Sequence, residues 1–446
     1  MKEYDLITIG TGAGLTIANA ALRRGLKVAI VESGKVGGTC LTRGCIPSKV
    51  LVYPADVLRE AQHAQKVGIQ LKVDKLDWDV ISKRMWSQID ESKEMEAGLK
   101  QVPGLDFYKG TGEFIGEYQL LVDRGSKREE ITAPKILIAS GARSLIPPIE
   151  GLEEAGYVTS ETFFGEKFPK KPWKSLAIIG GGIIAAEFAH IFSALGTEIT
   201  IVEMLPRLVT TEEPEVSRFL ERQFRQYMTV LLNKKAVAVE LKKGQKQIII
   251  EDMTSGDQSQ VSTDEILVAT GRRSNSDLLK PEKTGVKMER GWIKTNEYLE
   301  TSKKNIWCIG DANGLYQFRH KANYEAEIAS TNIFATDDTH RITASYNAVP
   351  WAIYTYPQIG HVGMTEAEAL EKGYKIYVGI HNYSSVAKGF AMGYTEGAPD
   401  DGFVKLIVDQ SRAILGASII GSYAAILIQQ YVYLMNAGFL CELQMP

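Results

Sequence analysis

Two of the chain's four cysteines, Cys40 and Cys45, sit five positions apart in the segment GGTCLTRGCIPSK. Thiols so placed can lie buried and inert, bind a metal, or cycle between dithiol and disulfide. A metal pair normally has tighter spacing and a second Cys or His cluster, whereas the six histidines are scattered at 63, 190, 320, 340, 361 and 381. In a regular helix, residues five apart have Cα atoms about 8.6 Å apart, and a disulfide needs roughly 4.4–6.8 Å. If the pair bonds, the stretch between them cannot be regular helix. Gly44 gives the backbone that freedom, and Pro47 suits the first turn of a helix that follows. Cys45 then lies near the positive end of a helix dipole, with Lys49 one turn on, a setting that favours thiolate. A redox pair needs these features, but they leave all three readings open.

The compartment bears on the choice. The N-terminal run MKEYDLITIG enters an apolar strand at once, which argues against a secretory leader. The most apolar late stretch, IIGSYAAILIQQYVYLMNAGFL, is interrupted by Ser422, Gln429 and Gln430. A membrane helix needs about 20 nearly unbroken apolar residues, so this stretch reads as a buried helix of a soluble domain. The expected location is cytoplasmic and reducing, where a close cysteine pair is more often catalytic or metal-binding than structural. At 446 residues the chain is long enough for roughly three domains. With 44% apolar and 24% charged residues it can bury sizeable cores. A net charge of -3 without runs of one sign gives no reason to expect nucleic acid or membrane as partner.

The elements that must position the cysteines begin directly before them. YDLITIG reads as a buried strand, TGAGLTIANAALRRG as a turn and helix, and KVAIVES as a second strand, the order of a dinucleotide-binding unit. Gly10 permits the tight turn, Gly12 lets backbone approach a pyrophosphate, and Glu32 stands where an acid holds a ribose hydroxyl. Leu15 occupies the third glycine position, and Gly14 beside it can share that position's packing role. The pattern returns in SLAIIG, GGIIAAEFAHIFSALG and TEITIVE, with Gly180, Gly182 and Ala185 in the three positions and Glu203 as the acid. A carboxylate there accepts from a 2′-hydroxyl and repels a phosphate, so Glu203 favours NAD(H) over NADP(H). Arg207 reads as an ordinary surface arginine.

With these segments in order, the chain strongly resembles the flavoprotein disulfide reductases over nearly its whole length. GGTCLTRGCIPSK is similar to the family's redox-disulfide signature, with Thr42 and Arg43 departing from the usual Asn and Val and expected to line the approach to the disulfide. ILIASGARSLIP and EILVATGRRSNSDLL resemble the family's two Ala-Thr-Gly segments, IWCIGDANG the strand that brings an aspartate to FAD, and RHKA the segment along the flavin. The resemblance implies an α/β fold of two Rossmann-like domains, one for FAD and one for NAD, plus a C-terminal α+β dimerisation domain. The implied boundaries are 1–147 with 272–338 for FAD, 148–271 for NAD and 339–446 for the interface. The implied FAD contacts are Gly10, Gly12, Gly14, Glu32, Gly38, Thr39, Lys49, Gly112, Ser140, Gly141, Asp311, Arg319, His320 and Ala322. The implied NAD contacts are Gly180, Gly182, Ile183, Ala185, Glu187, Glu203, Ala236 and Gly271. No metal is implied.

The resemblance also implies that Cys40 and Cys45 form the redox disulfide. Cys45 would be next to the flavin and Cys40 would attack the substrate, with Lys49 paired to Glu187 beside the ring. It implies a homodimer and places the activity nearest dihydrolipoamide dehydrogenase, oxidising dihydrolipoamide with NAD+. The substrate would be a small disulfide or dithiol, or the lipoyl group of an acyl-transferase complex. A mercuric-type metal-ion reductase and an NAD(H)-binding flavoprotein without disulfide turnover are the alternatives. The chain ends at GFLCELQMP, where the family's His-Pro acid/base segment would begin. His320 is expected at the flavin, the other histidines are expected to be structural or exposed, Cys308 is expected in the core, and Cys441 has no assigned partner.

Overall fold

The apolar runs flanking the first glycine turn form parallel strands with no face left to water. In the computed structural model, which describes residues 1–440, the strand Leu6–Ile9 is buried throughout, and so is Val28–Glu32. Strands of parallel sheets read this way because helices cover both faces. Cys441 lies outside the described residues.

The chain divides into two compact units. The first comprises 1–48, 82–145 and 272–345. Its central sheet runs Ile306–Cys308, Ile136–Ile138, Leu6–Ile9, Val28–Glu32, Leu105–Lys109, all pairs parallel. The helix Gly14–Leu22 joins the strands Leu6–Ile9 and Val28–Glu32, as the sequence predicts. It seats closely because Gly14 carries no side chain: a Cβ there would fall 2.8 Å from Thr8 Cγ2 and 3.2 Å from Ala139 Cβ. Gly14 thus performs the packing role that Leu15 cannot. Cys308 is fully buried in the core with Ile7, Ile136 and Ile306, and burial pushes its thiol pKa well up, so it is a core residue.

The second unit comprises 49–81, 146–271 and the residues from 346 onward. One of its sheets is four-stranded and parallel, ordered Thr229–Leu231, Glu198–Val202, Ser175–Ile179, Glu265–Val268, and carries the helix Ile183–Ala194. A second is three-stranded and antiparallel, Lys234–Lys242, Gln245–Asp252, Gln258–Thr263, and another is five-stranded and antiparallel, ordered Pro350–Ile353, Gln358–Gly363, Ile414–Gly421, Phe403–Asp409, Ile376–Asn382. The helix Ala424–Asn436 lays Ala424, Ile428 and Val432 on that five-stranded sheet. The sequence led us to expect a buried helix of a soluble domain here. The structure buries one face and leaves Ile426 and Tyr433 exposed.

Candidate active site

The helix Gly38–Thr42 stops at Arg43, whose φ is -159°, and a second helix, Cys45–His63, starts two residues later. The break between the cysteines is the one their pairing requires. Gly44 is needed for space, since a Cβ there would lie 2.9 Å from the Thr39 carbonyl oxygen. Both cysteines are thiols in this structure. The Cys40 pKa is brought down to about 6, chiefly by the hydrogen bond from Cys45; burial opposes this, while Arg319 and the Ile46 N–H add to it. The dipole argument from sequence pointed to Cys45. The Ile46 N–H in the first turn of that helix serves the Cys40 sulfur instead, and Arg319 Nη1 lies 3.4 Å from it.

Thr42 and Arg43 do not both line the approach to the pair. Thr42 is buried and its hydroxyl donates to the Gly38 carbonyl, 2.8 Å. The Arg43 guanidinium lies against Gly34, where a Cβ would come within 2.9 Å of Nη2. Bulk at Gly34 would therefore displace that arginine.

Other predicted residues of the first unit gather at the carboxyl ends of its parallel strands. Gly10 has φ +101°, and a Cβ there would meet the Ala139 carbonyl oxygen at 2.2 Å. Gly38 packs backbone against backbone on Gly12, a Cβ falling 2.7 Å from the Gly12 Cα. Glu32 Oε2 accepts from the Thr11 N–H (2.9 Å) and hydroxyl (2.6 Å), and Oε1 from the Gly34 N–H (2.6 Å), which fixes the acid beside the glycine turn. The Thr39 carbonyl caps the short helix by accepting from Arg43 N–H. Gly112 packs on Val31 and Leu120, with little room for a side chain.

Ser140 and Gly141 stand at the end of Ile136–Ile138, and the Ser140 carbonyl accepts from Asn275 Nδ2 at 2.9 Å. Asp311 sits in the turn Gly310–Asn313 and receives Arg272 Nη2 at 3.2 Å. The sequence reading missed what holds that turn. Lys321 and Glu325, both fully buried and 2.9 Å apart, contact Asn313 and the Gly310 backbone. A Lys–Glu pair at i,i+4 in KANYE was the available signal, but it reads equally as a surface pair. Gly310 packs on Ala322, and His320 is exposed, stacked on Phe318.

In the second unit, Lys49 Nζ is 2.8 Å from both carboxylate oxygens of Glu187, and the Tyr354 N–H donates to Oε1 at 3.1 Å. The ammonium also lies 4.4 Å from the Tyr354 ring centroid. Two further ties follow along the same pair of helices: His190 to Asp56 at 2.8 Å and Arg59 to Ser193 at 2.7 Å. Gly180 has φ +115°, and a Cβ there would strike the Ala269 carbonyl oxygen at 2.3 Å, whereas at Gly182 it would meet nothing within 4 Å. Ile183 opens the helix that follows and Ala185 is buried beneath it.

Glu203 is buried against Gly181, and its Oε1 accepts from the Leu205 N–H at 2.7 Å. Arg207 turns to the Glu212 carbonyl. Gly271 is exposed at φ +130°. The Ala236 side chain packs among Val239, Ile248 and Ile250 at a bulge. Only its backbone is left to meet a ligand.

Residues 4–326 match the pyridine nucleotide-disulphide oxidoreductase family and 349–445 its dimerisation domain. The chain belongs to the flavoprotein disulfide reductases. It is 35% identical to the mycothione reductase of Mycobacterium tuberculosis, over 98% of this chain and 94% of that protein. It is 31% identical to the dihydrolipoyl dehydrogenase of Chlamydia pneumoniae, over 100% and 92%. With the mercuric reductase of Staphylococcus aureus the figures are 33%, 99% and 78%. Among solved structures, the Cu(II) complex of the HOCl-induced flavoprotein disulfide reductase RclA of Escherichia coli is similar at a TM-score of 0.84 and 28% identity, over 99% of this chain and 94% of that one.

Flavoprotein disulfide reductases use FAD and a pyridine nucleotide, and this chain has the domain that binds them. The first unit fits FAD: its glycine segments leave bare backbone at the sheet's carboxyl edge, and the buried Ser140 Oγ has no protein hydrogen-bond partner. The second fits the pyridine nucleotide through the open space at Gly182. The dimerisation domain supports a homodimer. Among the described residues no helix is long and apolar enough to cross a membrane.

Proposed function

We propose that the protein is an NAD(H)-linked, FAD-dependent oxidoreductase of a low-molecular-weight disulfide, working through Cys40 and Cys45. The observation that carries this reading is the Cys40 sulfur, set beside Cys45 with Arg319 Nη1 3.4 Å away and served by the Ile46 N–H, contacts that bring its pKa down to about 6. In the reductive direction the Cys40 thiolate attacks a substrate sulfur; the Cys40–substrate disulfide forms as the substrate S–S bond breaks, and one substrate thiolate leaves. Cys45 then attacks Cys40, the Cys40–Cys45 disulfide closes and the second substrate thiolate departs. The two leaving thiolates take up the two protons that the cysteines lost. Rates of such exchange follow thiolate fraction and leaving-group pKa. Bound FAD supplies the two-electron link between the pyridine nucleotide and the cysteine pair.

In this reading Lys49 and Glu187 set the charge beside the flavin. The glycines of the first fingerprint, with Glu32, Ser140 and Asp311, hold FAD. Gly180, Gly182 and Glu203 hold NAD(H), with Glu203 disfavouring a 2′-phosphate. The three-domain division at 147, 271 and 338 and a reducing, cytoplasmic setting belong to the same proposal. The identity to mycothione reductase, spread over nearly the whole chain, supports a free small-molecule disulfide as the first substrate to test. The similarity to dihydrolipoyl dehydrogenases keeps the lipoyl group as the second.

The test is anaerobic NADH addition to the FAD-loaded enzyme, with thiols counted before and after. Two new thiols, lost again when lipoamide or a mycothione-type disulfide is added, are expected, and Cys40→Ser is expected to abolish both changes while keeping bound FAD. If NADH exposes no thiols, the disulfide mechanism fails.

A further inference from the structure

We propose that Arg319 is a catalytic residue of the thiol exchange, holding the Cys40 thiolate during attack, and not a flavin contact as the resemblance alone implied. The proposal rests on the disulfide reading above. Arg319 opens the helix Arg319–Phe334, and its Nη1 comes within 3.4 Å of the Cys40 sulfur although the residue is exposed. A long, entropy-rich side chain gains little by resting on a neutral thiol at the surface. It gains more where the sulfur carries charge.

The neighbouring cation shows the contrast. Lys321, two residues on, is fully buried and spent on Glu325 and Asn313, so it braces the turn that carries Asp311. Arg319 is the RHKA cation directed at the sulfur. The groups facing that sulfur are the Cys45 thiol and Ile46 N–H from one helix and the Arg319 guanidinium from another. Of these only Arg319 bears a full charge.

Its position suits both stages of exchange. When Cys40 is thiolate, the guanidinium stabilises it. When Cys45 attacks to close the internal disulfide, the same N–H groups can turn to the departing substrate sulfur, because the residue faces solvent. Arg319 cannot give up a proton at any working pH, so its part is electrostatic, and the departing thiolates are protonated from water.

The experiment is the pH dependence of Cys40 alkylation by iodoacetamide in the FAD-loaded enzyme reduced chemically, with the modified cysteine identified by mass spectrometry. The native protein is expected to show a midpoint near 6. In Arg319→Gln the midpoint should rise by about one unit, the scale of one charge at this distance in a half-solvated setting, with on the order of a tenfold loss of thiolate at low pH. Arg319→Lys should restore most of the shift. Disulfide turnover in Arg319→Gln should fall several-fold at pH 6 and recover toward pH 8. A midpoint unmoved in Arg319→Gln, or raised equally in Arg319→Lys, would overturn the proposal. The alkylation uses neither NADH nor a disulfide, so failure of the disulfide reading shows in the thiol count and failure of Arg319 shows here.

Discussion

Glu212 lies in the second unit with its carboxyl fully out of water, and replacing it by glutamine should stabilise the protein in a pH-dependent way. Its Oε1 accepts from Trp351 Nε1 at 2.5 Å, while Oε2 makes no hydrogen bond and stands 3.7 Å from His361 Nδ1. Burial pushes the Glu212 pKa from 4.5 up to about 7 against the lowering effect of hydrogen bonds from Trp351 and Thr211, and the adjacent Glu213 adds to the rise. His361 does not supply the missing charge. Burial brings its pKa down to about 4, and as a neutral ring it donates from Nε2 to the Gly363 carbonyl at 3.1 Å and accepts from Ser418 at Nδ1, 2.8 Å.

The sign follows from linkage. A carboxyl whose folded pKa lies above its unfolded one costs nothing below about pH 4.5 and destabilises increasingly as pH rises through its folded value. At about 1.4 kcal/mol per unit, the rise is worth roughly 3 kcal/mol, reached near pH 7 and constant above it. Glu212→Gln keeps an acceptor for Trp351 and removes that cost. Its melting temperature should equal the native one near pH 4.5 and exceed it by a few degrees at pH 8, as judged by calorimetry across pH. Tryptophan fluorescence at constant temperature should show the Trp351 environment titrating near pH 7 in the native protein and not in the variant. If Glu212→Gln is less stable than native at pH 7, or if the gap does not open between pH 4.5 and 7, then the carboxylate is ionised and paired with a protonated His361, and the reasoning fails.

Lys405 is buried between Glu213 at 3.0 Å, Glu366 at 2.7 Å and Glu215 at 3.5 Å, and the carboxylates raise its pKa against the pull of burial. Lys405→Met should cost about 3–5 kcal/mol at neutral pH, since it leaves the buried Glu213 unpaired; the native contribution is lost only as pH rises through the raised lysine value, which a denaturation series to high pH would follow. Gly182→Ala should leave the melting temperature unchanged but raise KM for NADH at least tenfold, while Gly180→Ala should fail to fold, because only the second Cβ meets backbone, at 2.3 Å. Glu203→Ala should narrow the preference for NADH over NADPH in steady-state kinetics; equal use of both cofactors by the native enzyme would refute that role.

What could be read from the sequence was local. The glycine fingerprints were legible because the turn, the helix and the acid lie within some two dozen residues of one another. Even the substitution of Leu15 could be interpreted, because Gly14 faces the same strand. The break between Cys40 and Cys45 was legible from geometry alone, although Gly44 serves by its lack of a side chain and not by an unusual dihedral. Thr42 was misread for a related reason: its hydroxyl turns back to Gly38 four residues earlier, a local bond that competes with any outward role.

The charge environment of the thiol was not legible, because it depends on a long loop closure. Arg319 reaches Cys40 across 279 residues of sequence, and nothing in the spacing of RHKA says which of its cations turns outward and which is buried. The same holds for Glu212, an unremarkable acid in TTEEPE until the sheet residues Trp351 and His361 shut it from water. The sequence carries the cysteine pair and the two glycine fingerprints with their acids, each within its own short segment. Their pKa values are properties of pairs that only the folded chain creates. Arg319 and Glu212 are therefore the positions where substitution tests the fold's contribution to chemistry, and Gly10 and Gly180 those where it tests the fold itself.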